Sequence, residues 1–278
     1  MNARRFDQLD VFTATPLRGN PLAVVHDAEG LSDAQMAAIA RWTNLSETTF
    51  LLPPSATEAD YRVRIFTPGG ELPFAGHPTL GSCHAWLAAG GQPKQAAAVV
   101  QECGVGLVQI RRQAGRLAFA APPTRRSGAL DGATLQQIAR ALAIEPAQVL
   151  HHQWADNGPG WCAVMLASAA EVLALRPDAA AMGKLKLGVV APQPAGSDTQ
   201  FEVRAFAPGL GVPEDPVTGS LNAALARWLI GAGLAPAHYV AAQGTAMGRA
   251  GRVFVDHEDG TFWIGGDVAA CIHGNITL

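Results

Sequence analysis

Charge is scarce in this chain. Of 278 residues only 15% are charged, the net charge is −3, and no run of basic or acidic residues occurs. That leaves no electrostatic footprint for nucleic acid and no interaction tail. Cysteine is rare too: Cys83, Cys103, Cys162 and Cys271 are scattered and make no CxxC pair. Their spacing excludes a disulfide framework and a thiolate zinc site, and a reducing cytoplasm is the simple expectation. No apolar stretch approaches the ~20 residues of a membrane span. The opening MNARRFDQLDVFT has two arginines but no apolar h-region, so no secretory signal is expected. Aromatic residues are 6% of the chain, and Trp42, Trp86, Trp228 and Trp263 are expected in a core rather than on a stacking platform.

What is present is globular. Hydrophobic residues make up 49% of the chain, and its length is near the size at which single cores divide. Short strands and helices alternate. YRVRIFT sets Tyr61, Val63 and Ile65 against Arg62, Arg64 and Phe66, a strand with one wet face. SDAQMAAIARW opens with Ser32 and carries Gln35 three residues on, a capping box that starts a helix. The same device is read at Thr134/Gln137 and at Ser168/Glu171. Strands are expected at HHQW, TQFEVRAFAP, HYVAAQG and RVFVDHE.

One phrase is written twice. HPTLGS begins at His77 and DPVTGS at Asp215, 138 residues later in a chain of 278. VRIFTP and VRAFAP, beginning at Val63 and Val203, are 140 apart, as are ECGVG and AQGTA. A half-chain repeat implies two α/β domains of one design, each a mixed β-sheet round a central helix, related by a pseudo-twofold. Prolines, glycines and small polar residues cluster over residues 121–133 and mark the link. The domains are expected at 1–121, completed by a C-terminal strand at about 268–278, and at 122–267.

Each copy of the phrase heads an apolar helix. Pro78 and Pro216 suit the first helical position, Asp215 suits an N-cap, and His77 does not. Gly81–Ser82 and Gly219–Ser220 are read into the first turns, where small residues leave backbone N–H groups open to an anion. A small carboxylate held by such helix heads could lose a proton from an adjacent carbon. A bland alternative is that the prolines and Gly-Ser pairs only shape helix entry. His77 and His84 lie seven apart on one helix face, but no third ligand has matching spacing, so no metal site is expected.

GNPLAVV, NLSETTFLL, RIFTPGGELPFAGHPTLGS, RAFAPGLGVPEDPVTGS and QGTAMGR together resemble the phenazine-biosynthesis isomerase family, PhzF, over most of the chain. The resemblance implies a diaminopimelate epimerase-like fold with the active site between two domains, a homodimer, and no metal or organic cofactor. It implies an isomerase that moves a hydrogen round a dihydro-hydroxyanthranilate, with a glutamate as acid/base. That glutamate corresponds to Glu47, and the substrate-facing histidine, aspartate and serine to His77, Asp215 and Ser220. Gly76 and Gly219 join Ser220 as backbone contacts for a small-molecule carboxylate. Racemases on this scaffold place a cysteine at each helix head; His77 and Asp215 stand there instead, which disfavours two-thiol chemistry. Val217 and Leu221 are larger than the family's usual residues and are expected to narrow the pocket. An epimerase or lyase on the same scaffold, or a binding protein without turnover, are the alternatives. No nucleic-acid or membrane partner is expected.

Overall fold

Val63 and Ile65 are branched at Cβ and alternate with arginines, and the segment around them is a strand, as its period requires. The computed structural model describes residues 3–113 and 115–278. The chain divides into two units, Met1–Ala120 with Gly265–Leu278, and Ala121–Ile264.

The first unit contains β1 (Ala3–Val11), β2 (Asn20–Val25), α1 (Asp33–Thr43), β3 (Thr48–Leu52), β4 (Tyr61–Thr67), β5 (Gly70–Leu72), α2 (Gly76–Ala88), β6 (Ala98–Cys103), β7 (Gly106–Gln113) and β8 (Arg116–Ala120). The second contains α3 (Gly132–Leu142), β9 (His151–Trp154), β10 (Trp161–Met165), α4 (Ala169–Ala174), α5 (Ala179–Met182), β11 (Lys186–Pro192), β12 (Phe201–Ala207), β13 (Val212–Asp215), α6 (Gly219–Gly231), β14 (His238–Gln243) and β15 (Gly251–Glu258). Strands β16 (Thr261–Gly266) and β17 (Val268–Thr277) follow, and β17 returns to the first unit to pair antiparallel with β1, Ala3 opposite Thr277.

The internal repeat is a repeat of pairing scheme. In the first unit β1–β2 is antiparallel, β2–β3 parallel, β3–β4 antiparallel, β4–β6 parallel and β6–β7 antiparallel. In the second, β9–β10, β10–β11, β11–β12, β12–β14 and β14–β15 run through the same series. Each parallel pair needs a crossover, and helices supply it: α1 and α2 in one unit, α4–α5 and α6 in the other. Helices α2 and α6 follow the duplicated phrase and are the central ones. Every residue from Gly76 to Cys83 is buried, and so are nine of the 13 residues of α6. A helix apolar on every side can exist only inside its sheet.

The capping box at Ser32 is present: Gln35 N–H donates to Ser32 Oγ at 3.3 Å, and Gln35 Oε1 accepts from Ser32 N at 2.9 Å. At Ser168 only half of the box forms: Ser168 Oγ accepts from Glu171 N at 3.3 Å, while Glu171 Oε1 accepts from the Ser168 hydroxyl at 3.4 Å and not from its backbone. The box read at Thr134 is not formed; α3 starts at Gly132, and Asp131 accepts from Thr134 N at 2.8 Å. Aspartate one turn earlier is the stronger acceptor for the first free N–H groups. The wet face expected on β4 is covered instead. Met36, Ile39 and Ala40 of α1 pack with Phe66, while Arg64 spans from Asp33 (2.7 Å) to Glu71 (2.8 Å). Trp42, expected in the core, is 79% exposed, because the inward stripe of α1 runs through residues 36, 39 and 40.

Val217 and Leu221 pack into the interior of the second unit. Both are fully buried over glycines. A Cβ on Gly188 would meet Leu221 Cδ1 at 2.5 Å, and one on Gly251 would meet the Gln243 carbonyl oxygen at 2.7 Å and collide with Val217. Gly251→Ala is expected to destabilise the protein by about 1–3 kcal/mol, measured by urea unfolding. Val217→Ala in the same chain should recover only part of that loss, because the Gln243 carbonyl remains in the way.

Candidate functional site

Two of the six residues singled out from the sequence meet in the first unit. Helix α1 ends at Asn44, whose left-handed backbone (φ 54°) returns its N–H to Ala40 O, and the chain enters β3 at Thr48. Thr43 Oγ1 and Thr48 Oγ1 lie 2.7 Å apart and clasp the loop between them. Glu47 is therefore held at the mouth of β3 with its side chain only 14% exposed. Its Oε2 is buried with no hydrogen-bond partner among the described residues. Burial raises its pKa to about 7, against the smaller opposing effect of the Ser46 hydroxyl.

His77 faces it. Helix α2 starts at Gly76 after an extended Ala75 that makes no side-chain cap, so His77 is the second helical residue. Its side chain is 5% exposed, and Nε2 lies 3.5 Å from Glu47 Oε2. On the other side of the ring, Asn20 Nδ2 lies 3.4 Å from Nδ1. A donating Asn20 amide leaves the imidazole proton on Nε2, the ring atom 3.5 Å from the carboxylate, an approach that falls short of a hydrogen bond. Helix α2 is itself fixed from two directions. Ser82 Oγ donates to Thr49 Oγ1 at 2.9 Å, Gln101 Nε2 donates to Thr79 Oγ1 at 3.1 Å, and Gln101 Oε1 accepts from Tyr61 Oη at 2.7 Å. Gly81 lets the helix approach β2, since a Cβ there would meet Leu22 Cδ2 at 2.5 Å.

Of the other four, Gly76 is the first residue of α2 in the first unit, and Asp215, Gly219 and Ser220, all in the second copy of the phrase, lie together in the second unit. Asp215 ends β13 and is not the N-cap; α6 starts at Gly219 with Thr218 before it. Thr218 Oγ1 donates to Asp215 Oδ2 at 2.6 Å and accepts from Gln243 Nε2 at 2.9 Å. Gln243 Oε1 accepts from Thr218 N at 3.0 Å and from Asn222 Nδ2 at 2.8 Å, and Gln243 Nε2 also donates to the Asp215 carbonyl at 3.0 Å. Ser220, one residue into α6, accepts from Trp161 Nε1 at its hydroxyl (3.0 Å) and from Asn157 Nδ2 at its carbonyl (2.8 Å).

The matching phrases thus begin their helices at different points. Pro78 is the third residue of α2 and Pro216 precedes α6, so neither takes the first helical position. Gly219–Ser220 open α6, whereas Gly81–Ser82 lie in the second turn of α2. The cause is local: an extended Ala75 admits Gly76 as the first helical residue, while Thr218 stays extended and bonded to Gln243. In both units a buried glutamine from the strand after the central helix reaches back to a threonine at its head. Asn20, Thr218, Asn222 and Gln243 were not singled out from the sequence. Asn20 and Gln243 stand inside the motifs GNPLAVV and QGTAMGR, but nothing local to those motifs says what they bind.

Two of the four thiols are fully shielded from solvent. Cys83 and Cys162 are buried, which pushes each up to about 12, and neither stands at a helix head. Iodoacetamide at neutral pH should leave both unmodified by peptide mass mapping, with turnover unchanged. Among the described residues, the group able to hold a metal is His238, Asp256 and Glu258 on β14 and β15, and it includes neither His77 nor His84.

Known proteins share this construction. The sequence profile of the phenazine biosynthesis-like (PhzC–PhzF) family matches residues 9–274. Antisense-enhancing sequence 1 of Schizosaccharomyces pombe is 36% identical over 99% of both chains. The trans-2,3-dihydro-3-hydroxyanthranilate isomerase of Pseudomonas chlororaphis is 36% identical over 78% of this chain and 77% of its own. A PhzF-family crystal structure from Bacillus anthracis superposes over 100% of both chains with TM-score 0.84 at 22% identity, a likeness of fold. The mixed-sheet α/β architecture is the epimerase-like one, and with a family match over nearly the whole length and relatives named as isomerases, the chain belongs to the phenazine biosynthesis-like (PhzC–PhzF) family and is an isomerase of it.

Proposed function

We propose that this isomerase moves a proton on a small cyclic or unsaturated carboxylate of the dihydro-hydroxyanthranilate type, with Glu47 as the acid/base. The observation that carries the proposal is a buried carboxylate with a pKa of about 7 beside the imidazole of His77. Ionised Glu47 takes a proton from a substrate carbon. The bonding pair moves into the conjugated system and shifts a double bond. Protonated Glu47 then returns the proton at another carbon, so one C–H bond breaks, one forms, and no electrons leave the substrate. His77, donating from Nε2, stabilises the carboxylate and the negative charge developing beside it. The substrate's carboxylate is assigned to the backbone of Gly76 at the head of α2, since helix N-termini favour anions. Asp215, Gly219 and Ser220, at the head of α6, are proposed as the substrate contacts of the second unit. A homodimer is part of the proposal and is checked by light scattering, which should exceed the 28.9 kDa of one chain.

The test is conversion of trans-2,3-dihydro-3-hydroxyanthranilate in deuterated water, with product analysis for a migrated double bond. An epimerase would instead return the proton to the same carbon with inversion. The pH profile follows from the state that Glu47 needs. Because the ionised form accepts the proton, kcat/KM should fall as pH drops through about 7, tenfold for each further unit. A profile flat from about pH 5.5 to about pH 8.5 would remove Glu47 as the base.

A further inference from the structure

The loop that carries Glu47 also buries a hydroxyl. The chain leaves α1 at Thr43 and enters β3 at Thr48, and the 2.7 Å contact between the two threonine hydroxyls closes the loop at its base. Ser46 Oγ and Glu47 Oε2, on successive residues of this loop, are both buried, and neither has a hydrogen-bond partner among the described residues. Unmatched buried polar atoms are unfavourable, and folded proteins keep few of them. Here two stand side by side in a loop that is fastened at both ends.

One rotation joins them. A seryl hydroxyl swings about a single bond among staggered positions, and its proton turns to whichever acceptor is near. A neutral carboxyl makes a weak demand on it. An ionised carboxylate only accepts, and hydrogen bonds to charged groups are the stronger kind. Charged and titratable neighbours leave that place to the serine. Asp33 of α1 is held by Arg64 of β4, Arg41 of α1 is exposed, and β2 and β3 carry no charged residue. Arg62 of β4 lies opposite Leu52, at the far end of β3. His77 of α2 stands 3.5 Å from the carboxylate, short of a hydrogen bond. The Ser46 hydroxyl acts in the expected direction, lowering the pKa of Glu47 against the larger raising effect of burial.

We propose that Ser46 is a positioning residue for the base: its hydroxyl turns onto the Glu47 carboxylate as that group ionises, holds it in the form that accepts a carbon-bound proton, and lets go once the proton has arrived. The inference rests on the reading of Glu47 as the acid/base and adds the group that tunes it.

Carbon-13 NMR of the glutamate-labelled protein tests this without substrate. The Glu47 carboxyl resonance, identified by its loss in Glu47→Gln, should titrate about one pH unit higher in Ser46→Ala than in the parent. In Ser46→Thr, which keeps the hydroxyl, it should titrate with the parent. The fall of kcat/KM should move by the same amount, so that at pH 6 Ser46→Ala turns over about tenfold more slowly, while the two proteins converge above about pH 9. A serine with a merely structural role would lower the unfolding temperature at every pH and leave both midpoints in place. Here the unfolding temperature of Ser46→Ala should match the parent at pH 5, where folded Glu47 is protonated in both, and fall below it at pH 9, where the variant buries the charge with less help. An NMR midpoint that stays with the parent or moves down overturns the proposal, as does an equal upward shift in Ser46→Thr. If Ser46→Ala does not fold, Ser46→Gly carries the same expectations. A Glu47 midpoint that follows Ser46 in a protein that isomerises nothing supports this inference and removes the proposed function.

Discussion

Glu47→Gln should lower turnover by about 10²–10⁴-fold, the usual yield of a positioned general acid/base. Glutamine keeps the size of the side chain and cannot take a proton from carbon. The same substitution should make the protein more stable at alkaline pH. In the folded chain the Glu47 carboxyl titrates at about 7, against 4.5 unperturbed. Below the unfolded value both states are protonated and Glu47 is neutral in its effect. As pH rises from about 4.5 to about 7 the unfolded chain ionises freely while the folded chain must bury a charge, so stability falls; above about 7 the penalty stays constant. Glutamine has no such penalty. The variant should therefore be more stable than the parent at pH 8 by about 3 kcal/mol, seen as a higher unfolding temperature, and should unfold at the same temperature near pH 4. Differential scanning calorimetry at both pH values, beside the isomerisation assay, reads the two effects separately. Near-parental turnover would take Glu47 out of the mechanism. Loss of turnover together with lower stability at pH 8 would make it a structural residue.

Gln243→Leu should cost more stability than any other single polar replacement in the second unit. The side chain is 0% exposed and makes four hydrogen bonds, to Thr218 N, Thr218 Oγ1, Asn222 Nδ2 and the Asp215 carbonyl. Leucine fills a similar volume but leaves these buried partners unmatched at about 1–3 kcal/mol each, and the groups are close enough that the losses do not add. A total of about 3–5 kcal/mol is expected from the shift in urea midpoint at constant slope. Thr218→Val removes only the hydroxyl that donates to Asp215 and should cost about 1–3 kcal/mol. The order matters more than either value: if Gln243→Leu is no worse than Thr218→Val, Gln243 does not organise the head of α6. Since Gln243 also holds the Asp215 carbonyl, kcat/KM should fall in both variants even where the protein remains folded.

Whatever depends on neighbours within one turn or one strand was legible in the sequence. The capping box of Ser32 and Gln35, the Ser168 cap and the strand at residues 201–207 are set by hydrogen bonds and side-chain periods that span two to four residues. The family resemblance is of the same kind, because its motifs are continuous stretches. The repeat of 140 residues was legible as a repeat of phrase, and the structure gives it substance as one pairing scheme used twice. Features that depend on what lies across a sheet were not legible. Nothing near Arg64 announces that α1 will cover it, and nothing near Trp42 says that its side of the helix faces away. That Val217 and Leu221 lie over Gly251 and Gly188 was not legible either, because those glycines are distant in sequence. The start of each central helix was misread for a related reason: Pro78 and Pro216 permit a first turn, but Ala75 and the Gln243–Thr218 bond decide where it begins. The sequence by itself determined the elements, the repeat and the residue types at the helix heads. Only the tertiary structure decided that Glu47, in a loop before one strand, meets His77 on a helix beyond two more strands, and that burial there lifts a carboxyl to a pKa near neutrality. A pKa depends on the water excluded from around the group, and that exclusion is made by residues far away along the chain.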